Sequence, residues 1–282
     1  MNAYFIFLEL IIYILFGLSL AHAWRKGVGS LQQLVAGVLF GLLLEWATIQ
    51  QLQAYEYGRF LLMLGPVPLA IGVAWGVIIY SARLYSDATS LPGWARPLLD
   101  GLLALSIDLS MDTLAIRLGF WKWGIPLDSQ FFGVPYANFW AWFWVVFFFS
   151  TGARRLSGVQ HPLAKWLAPL GAVITGVVGV LATNRLIVSI PVYALYVGVI
   201  VTTLGAVLAL VLAQRPRLQA QPESLAAWVP LVFHAYYLVA GTLSGIFASM
   251  PALLALSLAM ALLSLLLHAR FFRRILTRVE NA

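Results

Sequence analysis

The chain has no cysteine, so a disulfide framework, a thiolate nucleophile and a Cys-ligated metal site are all excluded. Charge is scarce as well. Only 10% of the 282 residues are charged, against roughly 25% in a soluble domain. Of the four histidines, no two stand at H-x-x-H or H-x-x-x-H spacing, so no di-iron desaturase or hydroxylase site is expected. The sequence also lacks G-x-S-x-G, a P-loop, a dinucleotide fingerprint, a fixed-period repeat and any low-complexity segment. Neither a metal nor a cofactor is therefore expected.

What the chain has in abundance is apolar surface. Hydrophobic residues make up 62% and mean hydropathy is +0.92, which marks a polytopic integral membrane protein. Apolar runs of about 20 residues recur with short polar connections. The fold class expected is an all-α transmembrane helical bundle forming one integral membrane domain over 1–282. Nine spans fit best, at 3–23, 31–49, 60–81, 97–117, 134–152, 163–183, 187–213, 226–246 and 250–269. Pro191 breaks the seventh, and only a short turn at Met250 and Pro251 separates the last two, so eight is the alternative count. Ala21-His22-Ala23 mimics a signal cleavage site, yet Glu9, the absence of a basic leader and the length of the run point to a retained first helix.

The net charge of +7 reads as membrane orientation rather than nucleic-acid binding, because the basic residues flank the apolar runs where anionic headgroups lie. Arg25, Lys26, Arg83, Arg96, Arg154, Arg155, Lys165, Arg215, Arg217, Arg270, Arg273, Arg274 and Arg278 fall on alternate connections. Arg59, Arg117, Lys122 and Arg185 fall on the others. The positive-inside rule then puts the N-terminus outside and the C-terminus in the cytoplasm, in what is expected to be a bacterial inner membrane.

Half of the ten acidic residues, namely Glu9, Glu45, Asp100, Asp108 and Asp112, lie inside expected spans. A carboxylate at the bilayer centre costs about 2.5–3.5 kcal/mol on insertion scales, so each needs a compensating partner or a function. Asp108 and Asp112 stand at i and i+4 and share a helix face. Two charges so close in a low dielectric favour a pair that retains one proton. Asp100, near a span boundary, reads most simply as a paired structural group, and Glu9 reads much the same way. Trp121, Trp123, Phe131, Phe132, Phe139, Trp140 and Trp142 fit an interfacial belt or the walls of a polyene site. His234 is expected to hydrogen-bond Tyr236 or Tyr237, and Ala172 and Gly176 to mark close helix packing.

Several of these residues carry a resemblance. Glu45 followed by Tyr55, Tyr57 and Gly58, the run from Gly65 to Leu69 with Trp75, Asp108 and Asp112, Trp121 and Trp123, and Gly133-Val134-Pro135 leading to Asn138, Phe139 and Trp142 resemble the membrane carotenoid biosynthesis family that includes the CruF-type carotenoid hydratases. The likeness covers roughly residues 45–143. Tyr136, Ala141 and Thr113 depart from that pattern, which has Leu, Gly and Pro there. The resemblance implies cofactor-independent addition of water across the terminal 1,2 double bond of an acyclic carotenoid.

Hydration needs a neutral carboxylic acid to protonate the alkene, a group to deprotonate water, and aromatic faces beside the cation. The residues expected to supply the catalysis are Asp108, Asp112 and Glu45. Trp121, Trp123, Tyr136, Asn138, Phe139 and Trp142 are expected to bind substrate. The expected partners are an apolar carotenoid or isoprenoid, membrane lipid and other carotenoid enzymes. A proton-coupled transporter would also use intramembrane carboxylates, although no inverted repeat is visible. A non-catalytic carotenoid- or lipid-binding partner of a membrane enzyme would need the groove but not the paired acids.

Overall fold

In the computed structural model, residues 2–52, 55–157, 159 and 162–272 are described, except for the side chains of 51, 52, 162, 164 and 165. Arg273, Arg274 and Arg278, assigned above to the cytoplasmic side, lie outside the described residues, as does the side chain of Lys165. The chain folds as α1 (Ala3–Lys26), α2 (Val28–Leu52), α3 (Leu69–Asp87), α4 (Arg96–Leu118), α5 (Tyr136–Ser157), α6 (Pro162–Val188), α7 (Tyr193–Ala213), α8 (Ser224–Leu243), the single turn α9 (Ile246–Ser249) and α10 (Pro251–Leu267). Among the described residues there are also four two-residue strands: β1 (Glu56–Tyr57), β2 (Met63–Leu64), β3 (Val67–Pro68) and β4 (Trp121–Lys122).

This is an all-α membrane bundle. Among the described residues, six helices, α1, α2, α3, α6, α7 and α8, are long and apolar enough to cross a membrane. Each expected run has a helix, but two boundaries move. The run expected at 60–81 becomes helical only at Leu69, because Pro66 and Pro68 lack the N–H that a helix interior requires. Residues 63–68 instead form the β2–β3 hairpin around Gly65. The run expected at 187–213 is likewise cut near Pro191: α6 runs on to Val188 and α7 starts at Tyr193.

Hydrogen bonds between connections fix the two ends of the bundle. At one end β1 pairs antiparallel with β4, Tyr57 opposite Trp121, and the Gly58 N–H donates to the Phe120 carbonyl at 2.8 Å. This ties the connection after α2 to the one after α4. Gly119 ends α4 with φ +82°, a left-handed conformation that suits glycine at a helix C-terminus. Arg117 donates from Nη1 to the carbonyls of Thr113 (2.7 Å) and Phe132 (2.8 Å) and from Nη2 to that of Leu127 (2.8 Å), holding the Trp-rich connection against α4. At the opposite end Thr89 bridges Leu218, and the Gln219 N–H donates to the Ala88 carbonyl at 2.9 Å.

Close helix packing depends on small residues. A Cβ on Gly176 would lie 2.6 Å from the Phe40 ring, and buried Ala172 lies against Gly152. The approach of α3 to α2 is tighter in kind, since a Cβ on Gly76 would lie 2.5 Å from Val38 Cγ2 and 2.9 Å from the Val38 backbone nitrogen. A backbone atom cannot rotate aside. Gly76→Val is expected to cost about 1–3 kcal/mol of overpacking and to lower Tm in detergent, a loss that thermal unfolding would register.

Candidate functional site

A cavity of about 490 Å³ lies among α1–α8, with Tyr196 as the contribution of α7. Helical spacing brings its walls together. On α3, Ile71, Ala74, Trp75 and Ile78 face it at i, i+3, i+4 and i+7, and on α5 Asn138, Ala141, Trp142 and Val145 repeat the same interval. Val180, Asn184 and Val188 of α6 follow at every fourth residue, and Val188 is 51% exposed. The lining therefore runs from the core of the bundle to its outer surface.

Glu45 enters from α2 and is held by three donors. Trp75 Nε1 donates to Oε1 at 2.7 Å, and the Tyr57 hydroxyl to Oε2 at 2.8 Å. The Tyr55 hydroxyl also donates to Oε2. Both tyrosines lie in the connection that the β1–β4 pair fastens. Burial first, and then the Glu45 charge, pushes both hydroxyls well above the ordinary tyrosine range, so they stay protonated and remain donors. Because the carboxyl oxygens of Glu45 act only as acceptors, the arrangement suits a carboxylate.

Asp112 lines the cavity from α4, and Asp108 lies behind it. The Asn138 amide nitrogen links them, donating to Asp112 Oδ2 at 2.7 Å and to Asp108 Oδ2 at 3.0 Å. The two carboxyls also lie within hydrogen-bonding reach of each other. Asp108 is fully buried but does not line the cavity, and its Oδ1 has no hydrogen-bond partner among the described residues. Glu45, Asp112 and Asn138 thus line one cavity, with Asp108 closed off behind Asp112.

Of the expected aromatic residues, Trp121, Trp123 and Trp142 line the cavity. Trp142 packs against Trp75 with ring centroids 4.2 Å apart. Tyr136 and Phe139 are not in the lining; Phe139 packs edge-on against Phe131 at 5.0 Å. The structural reading of Glu9 and Asp100 matches their surroundings. Glu9 accepts from the Leu61 N–H and the Tyr13 hydroxyl, while Asp100 accepts from Arg154 at 2.9 Å and from Ser150. The expected partner of His234 is corrected: Nδ1 faces the Ser110 hydroxyl at 3.4 Å, and Tyr236 donates instead to the Tyr4 carbonyl at 2.7 Å.

Sequence reasoning assigned no role to Trp75 or to the tyrosines at 55 and 57, although a carboxylate in an apolar run demands donors. It also passed over Asn184, and it considered Tyr237 only as a partner for His234, not as part of a cavity wall. No group of three or more His, Cys, Asp or Glu side chains arranged to hold a metal occurs among the described residues.

The sequence model of the family described as carotenoid biosynthesis protein matches residues 1–214. The match spans α1 through α7 and ends before α8, which contributes Phe233 and Tyr237 to the cavity. No curated protein and no solved structure matches the chain.

Proposed function

Because the chain belongs to the carotenoid biosynthesis protein family, we propose that it adds water across the terminal 1,2 double bond of an acyclic carotenoid end group by carboxylate acid/base chemistry. The observation that carries this reading is the Asp108–Asn138–Asp112 arrangement at the wall of an apolar, aromatic cavity. Two buried carboxyls sharing one amide form a proton reservoir. Asp112 faces the substrate and gives its proton to C2, which leaves a tertiary cation at C1. The rings of Trp121, Trp123 and Trp142, which line the cavity, stand beside that cation, and the Glu45 carboxylate supplies a negative charge within the same cavity. Water then bonds to C1, and its proton returns to the aspartate pair.

The substrate partitions into lipid, so its end group enters sideways, beside the exposed Val188, while the remaining polyene stays in the bilayer. The orientation proposed is N-terminus outside and C-terminus cytoplasmic, in a bacterial inner membrane.

Purified protein given lycopene in heavy water, without oxygen and with chelator present, is expected to form a tertiary alcohol carrying deuterium at C2. A hydroxyl drawn from oxygen gas would make the protein an oxygenase. Binding of lycopene with no product would leave a carotenoid-binding partner.

A further inference from the structure

The hydroxyl of Tyr237 is buried at the cavity wall and has no hydrogen-bond partner among the described residues. Most buried hydroxyls are paired, and an unpaired one destabilises the fold relative to the phenylalanine that would fill the same space. The ring is not free to turn elsewhere. It packs edge-on against Phe120 at 6.3 Å and against Tyr236 at 5.0 Å, and Tyr236 is itself anchored to the Tyr4 carbonyl. One turn earlier on α8, Phe233 lines the same cavity and His234 meets Ser110 of α4, which fixes this face of α8 against the helix that carries both aspartates. Tyr237 is close enough to Asp112 and Asp108 to feel their charge, yet it hydrogen-bonds to neither. Its hydroxyl and the Asp112 carboxyl therefore face one space from α8 and α4.

We propose that Tyr237 holds the water that adds to the carotenoid end group and relays that water's proton to Asp112. This deepens the hydration reading and rests on it. Once Asp112 has given its proton to C2, it is a carboxylate beside a tertiary cation. The water oxygen forms its bond to C1 while one water O–H bond breaks. That proton passes to the Tyr237 oxygen as the phenolic proton passes to Asp112. Tyr237 ends unchanged, Asp112 is protonated again, and one water has been consumed. A hydroxyl suits the task because it accepts and donates at once. Tyr237 lies beyond the segment that the family model matches, so the last part of the chain completes the site.

The test is Tyr237→Phe beside the unaltered protein, each purified and given lycopene in heavy water, with alcohol, deuterium in recovered lycopene and Tm all measured. Alcohol formation is expected to fall about a hundredfold or more. Deuterium uptake into recovered lycopene should continue, because Asp112 still protonates the alkene and the uncaptured cation gives a proton back. Tm should hold or rise, since an unpaired hydroxyl has been removed. Alcohol formation within about threefold of the unaltered protein would overturn the proposal, and so would alcohol and deuterium uptake falling in parallel, which would place Tyr237 ahead of water capture. If the unaltered protein forms no alcohol, the hydration reading itself fails and the proposal with it.

Discussion

Asp112→Asn is expected to lower conversion of an acyclic carotenoid by about 10²–10⁴-fold while leaving the protein folded. The amide occupies the same volume and still hydrogen-bonds to Asn138, so the wall of α4 at the cavity keeps its shape. It cannot give a proton to an alkene carbon. Asp108→Asn is expected to cost less, because Asp108 does not reach the cavity and the acid that faces substrate remains. Product analysis of both variants, with Tm measured on each, separates chemistry from folding. Full activity in Asp112→Asn would make the pair structural. A larger loss in Asp108→Asn would reverse the assigned roles.

Much of the architecture was legible because a bilayer demands long apolar helices and leaves few other solutions. The hairpin at residues 63–68 was missed by weighing hydropathy above the two prolines, which cannot join a helix interior. At the site, spacing along a helix explains both what was read and what was not. Asp108 and Asp112 share a face, but one turn separates them by about 6 Å along the axis, and the cavity ends between them. Phe139 follows Asn138 by one residue, a rotation of about 100°, so it turns away from the wall that Asn138, Ala141 and Trp142 form. Tyr136 lies about 200° from Asn138 and is likewise not in the lining. Periodicity applied to α5 would have excluded both.

The groups that satisfy Glu45 were harder to find. Trp75 comes from another helix, and Tyr55 and Tyr57 reach the carboxyl only because β1 pairs with β4, a contact between segments more than sixty residues apart. Local sequence carries no sign of such pairing. The same holds for His234. Its hydrogen-bonding neighbour lies on α4, whereas the tyrosines adjacent in sequence are directed elsewhere. Long-range packing, which helix propensity does not encode, assembles the cavity from eight helices, α1–α8.

Removing the Arg154 guanidinium is expected to destabilise the bundle by about 3–5 kcal/mol, the penalty for leaving a buried carboxylate without its counter-ion. Asp100 is fully buried on α4, and besides Ser150 its hydrogen-bonding partner is Arg154 Nη2 at 2.9 Å. The same guanidinium donates to the Ser86 hydroxyl at 2.8 Å and to Asp87 at the end of α3, so one side chain of α5 joins three helices. Asp87 is 39% exposed at its side chain and can be solvated without Arg154, so little of the loss is expected from that contact. Arg154→Met keeps much of the volume and removes the charge. Thermal unfolding in detergent should show a large fall in Tm for Arg154→Met and a partial recovery when Asp100→Leu is added. The uncompensated charge, rather than lost packing, would then account for most of the cost. A double variant no more stable than Arg154→Met alone would locate the penalty in the helix contacts instead, and the two substitutions combined in a cycle measure which it is.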